Sequence, residues 1–140
     1  MLSSKQRGLT LVELMVVVAV MAIIATVAYP MYTAQVQKTR RADAKIALES
    51  IAMAQERFYT VSGAYTNILS TLQVSAAVQG GTSDEEYYTV AVTHPGGDTQ
   101  LFTATASATG RQAGDTDCAS FAINQLGVKT ATDGGGTNCW

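Results

Sequence analysis

The sequence predicts an α+β chain: one long N-terminal helix packed on a three- to four-stranded antiparallel sheet. Three observations predict it. From Leu9 to Tyr29 the chain is continuously apolar except for Glu13. From Ala44 to Val61, apolar residues recur at three- and four-residue steps. Beyond Glu86, short β-branched and aromatic runs alternate with Gly- and Pro-containing breaks.

The apolar run is long enough to cross a bilayer core as a helix. Because it is apolar on every side, it must be buried all round, in lipid or in protein. A lone carboxylate inside such a run costs on the order of 2.5–3.5 kcal/mol on insertion scales, which makes Glu13 a functional candidate by default. Past Pro30 the helical pattern continues with changed polarity. Ala44, Ala47, Leu48, Ile51, Ala54, Phe58 and Val61 form one face, and most of the charges lie elsewhere. Gly63 is the expected stop. A helix from Leu9 to about Ser62 would extend roughly 80 Å, so its first half is expected to protrude, with Pro30 removing one backbone donor. Lys38, Arg40 and Arg41 are expected to form a solvated or headgroup-facing collar. Bridging of neighbouring subunits, with Asp43, is the alternative.

The second half reads as a polar connection from Gly63 to Glu86 hooked by Tyr65, Leu69 and Leu72. Strands follow at Tyr87–Thr93, Gln100–Ala108 and Cys118–Asn124, with a short fourth at Val128–Ala131. His94–Asp98 and Gln125–Gly127 are turns. In the second strand Phe102, Ala104 and Ala106 share one face, small enough to let the sheet sit close to the helix.

Length and charge limit the function classes. With the apolar run set aside, about 110 of the 140 residues remain, enough for one small domain. The net charge of −2 gives no global field directed at nucleic acid. Beyond Arg57 only Arg111 and Lys129 are basic, against seven acids. No catalytic constellation appears; the single His94 lies in a Pro-Gly-Gly turn. Asp84–Glu86 reads as a solvated acidic rim. Asp115, Asp117 and Asp133 read as solvated loop charges, with a Ca²⁺ site as the alternative. No metal or cofactor is expected. Cys118 and Cys139, an even pair in a chain with a membrane segment, read as a disulfide in an oxidising compartment, the alternative being two free thiols.

The stretch Arg7-Gly8-Leu9-Thr10-Leu11-Val12-Glu13-Leu14 resembles the processing site of type IV pilins. It has a short basic leader, then Gly, an apolar residue, Thr-Leu, and a Glu ahead of the apolar run. Leu9 stands where Phe is commoner. The resemblance implies that residues 1–8 are a leader, that prepilin peptidase cuts between Gly8 and Leu9, and that Leu9 becomes the N-methylated terminus. Residues 9–34 would then be the transmembrane and assembly helix, and residues 35–140 a periplasmic globular domain. Pro30 falls where the family has a kink-forming proline. Glu13 would pair with the new terminal amine of a neighbouring subunit, two charges attracting strongly at low dielectric. Pairing within its own chain, or protonation in lipid, are the alternatives. The Cys118–Cys139 pair resembles the disulfide-closed C-terminal loop of type IVa pilins, and Asn138-Cys139-Trp140 looks most like the small minor pilins.

By that resemblance the chain is a structural subunit of a type IV pilus. It would be held in the inner membrane, handled by the inner-membrane assembly machinery, and polymerised with other pilin subunits into an extracellular filament for adhesion, twitching motility or DNA uptake. A pseudopilin of type II secretion shares the N-terminus; the terminal cysteine pair argues against it. A competence pilin that binds DNA needs a basic patch on the exposed domain. A membrane-anchored enzyme has no support in the residues.

Overall fold

The computed structural model describes residues 10–133 and 139–140. Gly8 and Leu9, where processing is expected, lie outside the described residues. The element order is α1 (Leu11–Ser62), α2 (Ala76–Gln79), β1 (Tyr88–Thr93), β2 (Thr103–Ala108), β3 (Cys118–Asn124) and β4 (Lys129–Asp133), with single 3₁₀ turns at Leu69–Thr71, Pro95–Gly97 and Gly110–Gln112. The chain divides into two compact units, Met1–Val36 and Gln37–Trp140.

In the first unit, every described residue from Thr10 to Tyr32 is exposed. This part of α1 is long and apolar enough to cross a membrane. Pro30 lies inside the helix and has no N–H to offer the Thr26 carbonyl. Nearby, the Thr26 and Thr33 hydroxyls donate to the Ile23 and Pro30 carbonyls at 2.7 and 2.9 Å.

The second unit is a four-stranded antiparallel meander, ordered β1-β2-β3-β4, that shares one core with the latter part of α1. Strand register pairs Val90 with Ala106 and Ala106 with Phe121. Ala44, Ala47, Leu48, Ile51 and Ala54 of α1 are buried, as the three- and four-residue spacing requires. From the sheet come Tyr88, Val90 and Val92 of β1, Ala104 and Ala106 of β2, and Phe121 and Ile123 of β3, joined by Phe102 just before β2. The small Ala44, Ala47, Ala104 and Ala106 alternate with large Phe102, Phe121 and Tyr88, so volume is filled without crowding. The helix stops at Gly63, whose φ of +72° is the left-handed conformation glycine adopts most readily. Its N–H still donates to the Tyr59 carbonyl at 2.8 Å.

The connection after Gly63 is more ordered than its polar composition suggests. Fully buried Gln55 bonds both to the Thr66 carbonyl and from the Thr66 N–H. Tyr65 lies against Tyr59 and edge-on to Phe102, with ring centroids 4.7 and 4.8 Å apart. Burial, then its hydrogen bond to Glu56, pushes the Tyr65 phenol up to about 12. Leu72 is buried and Leu69 packs on the core.

Several expectations need correction. Val61 is 91 % exposed because the core face of α1 ends one turn earlier, and Phe58 is only partly buried. Strand β2 begins at Thr103: Asp98 accepts from Gln100 N–H and Leu101 N–H closes a turn onto the Asp98 carbonyl. Strand β4 is shifted to Lys129–Asp133, since the Val128 carbonyl is used in the turn by Asn124 N–H. Arg41 is not part of a solvated collar, and Asp115 is not a solvated loop charge. The two form a buried ion pair.

Candidate functional site

The N-terminal site is built by the first turn of α1. Four N–H groups at a helix start lack intrahelical partners. Thr10 supplies one: its Oγ1 accepts from Glu13 N–H at 3.2 Å, while its carbonyl accepts from Leu14 N–H at 3.2 Å. Thr10 is thus the N-cap. Thr10-Leu11-Val12-Glu13 has the Thr-x-x-Glu spacing of a capping box. The carboxylate of Glu13 sits in the first helical turn, where the helix dipole favours an anion by about 0.3–1 kcal/mol at exposed sites. The helix end therefore offsets part of the cost of carrying an acid in an apolar rod. Sequence reading singled out Glu13 and overlooked Thr10, although the four-residue spacing was there to be read.

The second unit carries a buried polar network where α1 meets the loop between β2 and β3. Arg41 Nε and Nη2 donate to Asp115 Oδ2 and Oδ1 at 2.6 and 2.7 Å. Gln112 Nε2 donates to Asp115 Oδ2 at 2.8 Å and to the Gln37 carbonyl at 3.1 Å. The hydrogen bonds that Arg41 donates to Asp115 raise its guanidinium above the ordinary value, against the opposing effect of burial. Burial pushes the Tyr88 phenol up to about 12. Gln112 lies close enough to polarise that phenol, yet Tyr88 Oη, Gln112 Oε1 and Asp43 Oδ2 have no hydrogen-bond partner of good geometry among the described residues. This network pins the 110–117 loop to the helix and removes one cation from the basic group that follows the apolar run.

Next to this network, three residues beyond Asp115, Cys118 forms a disulfide with Cys139, with Cα atoms 5.7 Å apart. It holds Trp140 edge-on to Phe121 at 5.6 Å, with the indole N–H donating to the Thr130 carbonyl at 2.7 Å. Lys129 stands over the Trp140 ring and pairs with Glu49 at 2.7 Å. The disulfide is what the pilin resemblance implied and what counted against a pseudopilin. Among the described residues no group of His, Cys, Asp or Glu is arranged to hold a metal ion. Asp115 is committed to Arg41, Asp117 is exposed, and the Asp133 side chain lies outside the description. His94 Nδ1 lies 2.8 Å from the Leu101 carbonyl, a partner within its own loop.

The family described as "Type IV minor pilin ComP, DNA uptake sequence receptor" matches residues 30–122, more than half of the chain. The chain belongs to this type IV minor pilin family. The prokaryotic N-terminal methylation motif matches residues 3–29 of the same pilin. The chain is 31% identical over 68 residues to the type IV major pilin protein PilA of Myxococcus xanthus, a match covering 49% of this chain and 31% of that one. It is 29% identical over 110 residues to fimbrial protein EcpC of Eikenella corrodens, covering 79% and 69%. A type IV pilin from Shewanella oneidensis superposes with a TM-score of 0.51 at 28% identity, over 74% of this chain and 97% of that one. The minor pilin PilV of Neisseria meningitidis shares the fold, with a TM-score of 0.54 at 19% identity over 74% and 93%. This pilin is thus a pilus subunit, a structural protein that assembles with other pilins. The methylation motif together with the apolar half of α1 fits membrane anchoring and pilus assembly.

Proposed function

We propose that this minor pilin is made with residues 1–8 as a leader, cut between Gly8 and Leu9 by prepilin peptidase and N-methylated at Leu9. It waits in the inner membrane as a single-pass protein with the Gln37–Trp140 unit in the periplasm. The inner-membrane assembly machinery then extracts it into an extracellular filament. Assembly exchanges lipid for protein around the apolar half of α1. The Glu13 carboxylate pairs with the terminal amine of a neighbour and so fixes axial position, and Pro30 lets the helix adjust where its backbone ladder loses a bond. The observation that carries this reading is a single acid, placed one turn inside a Thr10-capped helix start, in a stretch exposed and apolar on all sides. Intact mass spectrometry of the membrane-extracted protein tests it. The expected mass lacks residues 1–8 and gains one methyl group. A mass that retains Met1–Gly8 in cells with active peptidase overturns it.

A second reading is favoured by the family match itself, whose description names a DNA uptake sequence receptor. The exposed cations of the second unit are Lys38, Arg57, Arg111 and Lys129, the last tied to Glu49. Neutralising at most four phosphates gives a log affinity against log salt slope no steeper than about −4. A duplex gel shift across salt measures it. No shift at low salt removes the reading.

A further inference from the structure

The pair formed by Arg41 and Asp115 changes which cations face outward after the apolar run. Arg41 is withdrawn, and the same loop delivers another cation in its place. Arg40 Nη1 donates to the Arg111 carbonyl at 3.4 Å, and the Arg40 guanidinium lies 4.7 Å from the centroid of the Tyr87 ring. Lys38 and Arg111 are exposed and Arg40 is half-buried. Among the described residues none of the three forms an ion pair. Asp117 is the one exposed acid in the 110–117 loop, so the group keeps an excess of positive charge. The acidic rim is set further along the helix: Glu85 N–H donates to Asp43 Oδ1 at 3.3 Å, whereas the 110–115 loop meets α1 at Gln37 and Arg41. Cations therefore come first along α1 and acids about one turn later.

Five residues of α1 lie between Tyr32, the last residue of the fully exposed stretch, and Lys38, a rise of about 9 Å along the helix. The polar layer outside a bilayer core is about 5–8 Å thick on each side, and the long lysine stem spans the difference. We infer that Lys38, Arg40 and Arg111 form a binding surface for anionic phospholipid headgroups, holding the second unit against the membrane before assembly. A headgroup phosphate on these three cations is matched in charge and reached by flexible stems, while the acids lie beyond it. The inference rests on the membrane-anchored reading above and adds the chemical class of lipid.

The test uses the full-length protein purified in detergent and titrated with phosphatidylglycerol or phosphatidylcholine, with bound lipid read by native mass spectrometry. Each cation near an anionic surface contributes about fivefold. With three cations, phosphatidylglycerol adducts are expected at about a hundredfold lower lipid concentration than phosphatidylcholine adducts. K38Q/R111Q is expected to lose most of that preference, and R57Q, on a cation further along α1, to keep it. Near-ultraviolet circular dichroism checks that both variants stay folded. A protein that extracts with the soluble fraction defeats the anchored reading and this inference together. A protein that inserts but takes up the two lipids equally defeats this inference alone. A double variant that keeps its lipid preference while losing duplex DNA binding reassigns the patch to nucleic acid and overturns the inference.

Discussion

Replacing Asp115, a residue 2 % exposed, with alanine removes the carboxylate that neutralises Arg41, a residue only 7 % exposed. Two charge-assisted hydrogen bonds of 2.6 and 2.7 Å disappear. The Gln112 amide and the Cys118 N–H lose their contacts to the same carboxylate, at 2.8 and 3.4 Å. Breaking one side of a buried pair typically costs about 3–5 kcal/mol because the remaining charge is stranded out of water. That is a large share of the 5–15 kcal/mol that holds a domain folded. Removing both partners is a different perturbation: Arg41→Met with Asp115→Leu leaves no stranded charge and is expected to recover most of the loss. The exposed pair between Lys129 and Glu49 is the internal comparison, and Glu49→Ala is expected to cost under about 1 kcal/mol. Guanidinium unfolding of the full-length protein in detergent, followed by the single Trp140, reads all three variants. A loss below about 1 kcal/mol in Asp115→Ala, or a double variant no more stable than the single, refutes the account of this network.

Other consequences follow from the same contacts. Converting both cysteines to serine opens the loop closed by Cys118 and Cys139, 21 residues apart, and is expected to cost about 3 kcal/mol; a red shift of Trp140 emission reports its release from Phe121. In alkaline titration followed by tyrosinate absorbance, Tyr65 and Tyr88 are expected to ionise near 12. Their folded values lie above the unfolded value of 10, so the folded state binds more protons between about pH 10 and 12 and stability falls as pH rises through that window. Thr10→Val removes the N-cap and is expected to weaken the first turn by about 1 kcal/mol; faster amide exchange at residues 13 and 14 in micelles checks it.

The helix and the sheet were legible because each rests on local pattern, and the disulfide because the chain has one pair of cysteines and a pilin-like C-terminus. The short run between the Gly- and Asp-rich loop and the Gln125–Gly127 turn placed β3 at its observed bounds, Cys118–Asn124. The spacing of Ala44, Ala47, Leu48, Ile51 and Ala54 gave the core face of α1. What was not legible depends on contacts between distant residues. Arg41 lies three residues before Ala44 and seven before Leu48, on the buried face, but a charged residue there reads as surface until a partner is known. That partner, Asp115, is 74 residues away. Arg111 likewise reads as an isolated loop cation until Arg40 is seen to hold its carbonyl. At the N-terminal site the sequence pointed to Glu13, while the cap that Thr10 makes was visible only as a spacing.

The pairing of Glu13 with a neighbour's terminal amine is tested most directly by Glu13→Gln, which keeps the size of the side chain and removes its charge. The measurement is the ratio of this pilin in sheared filaments to that in the membrane fraction, by quantitative immunoblot. The account predicts a loss of at least about tenfold in the filament fraction, the equivalent of 1.4 kcal/mol, with the membrane pool unchanged. A variant that reaches filaments at the unaltered level contradicts it.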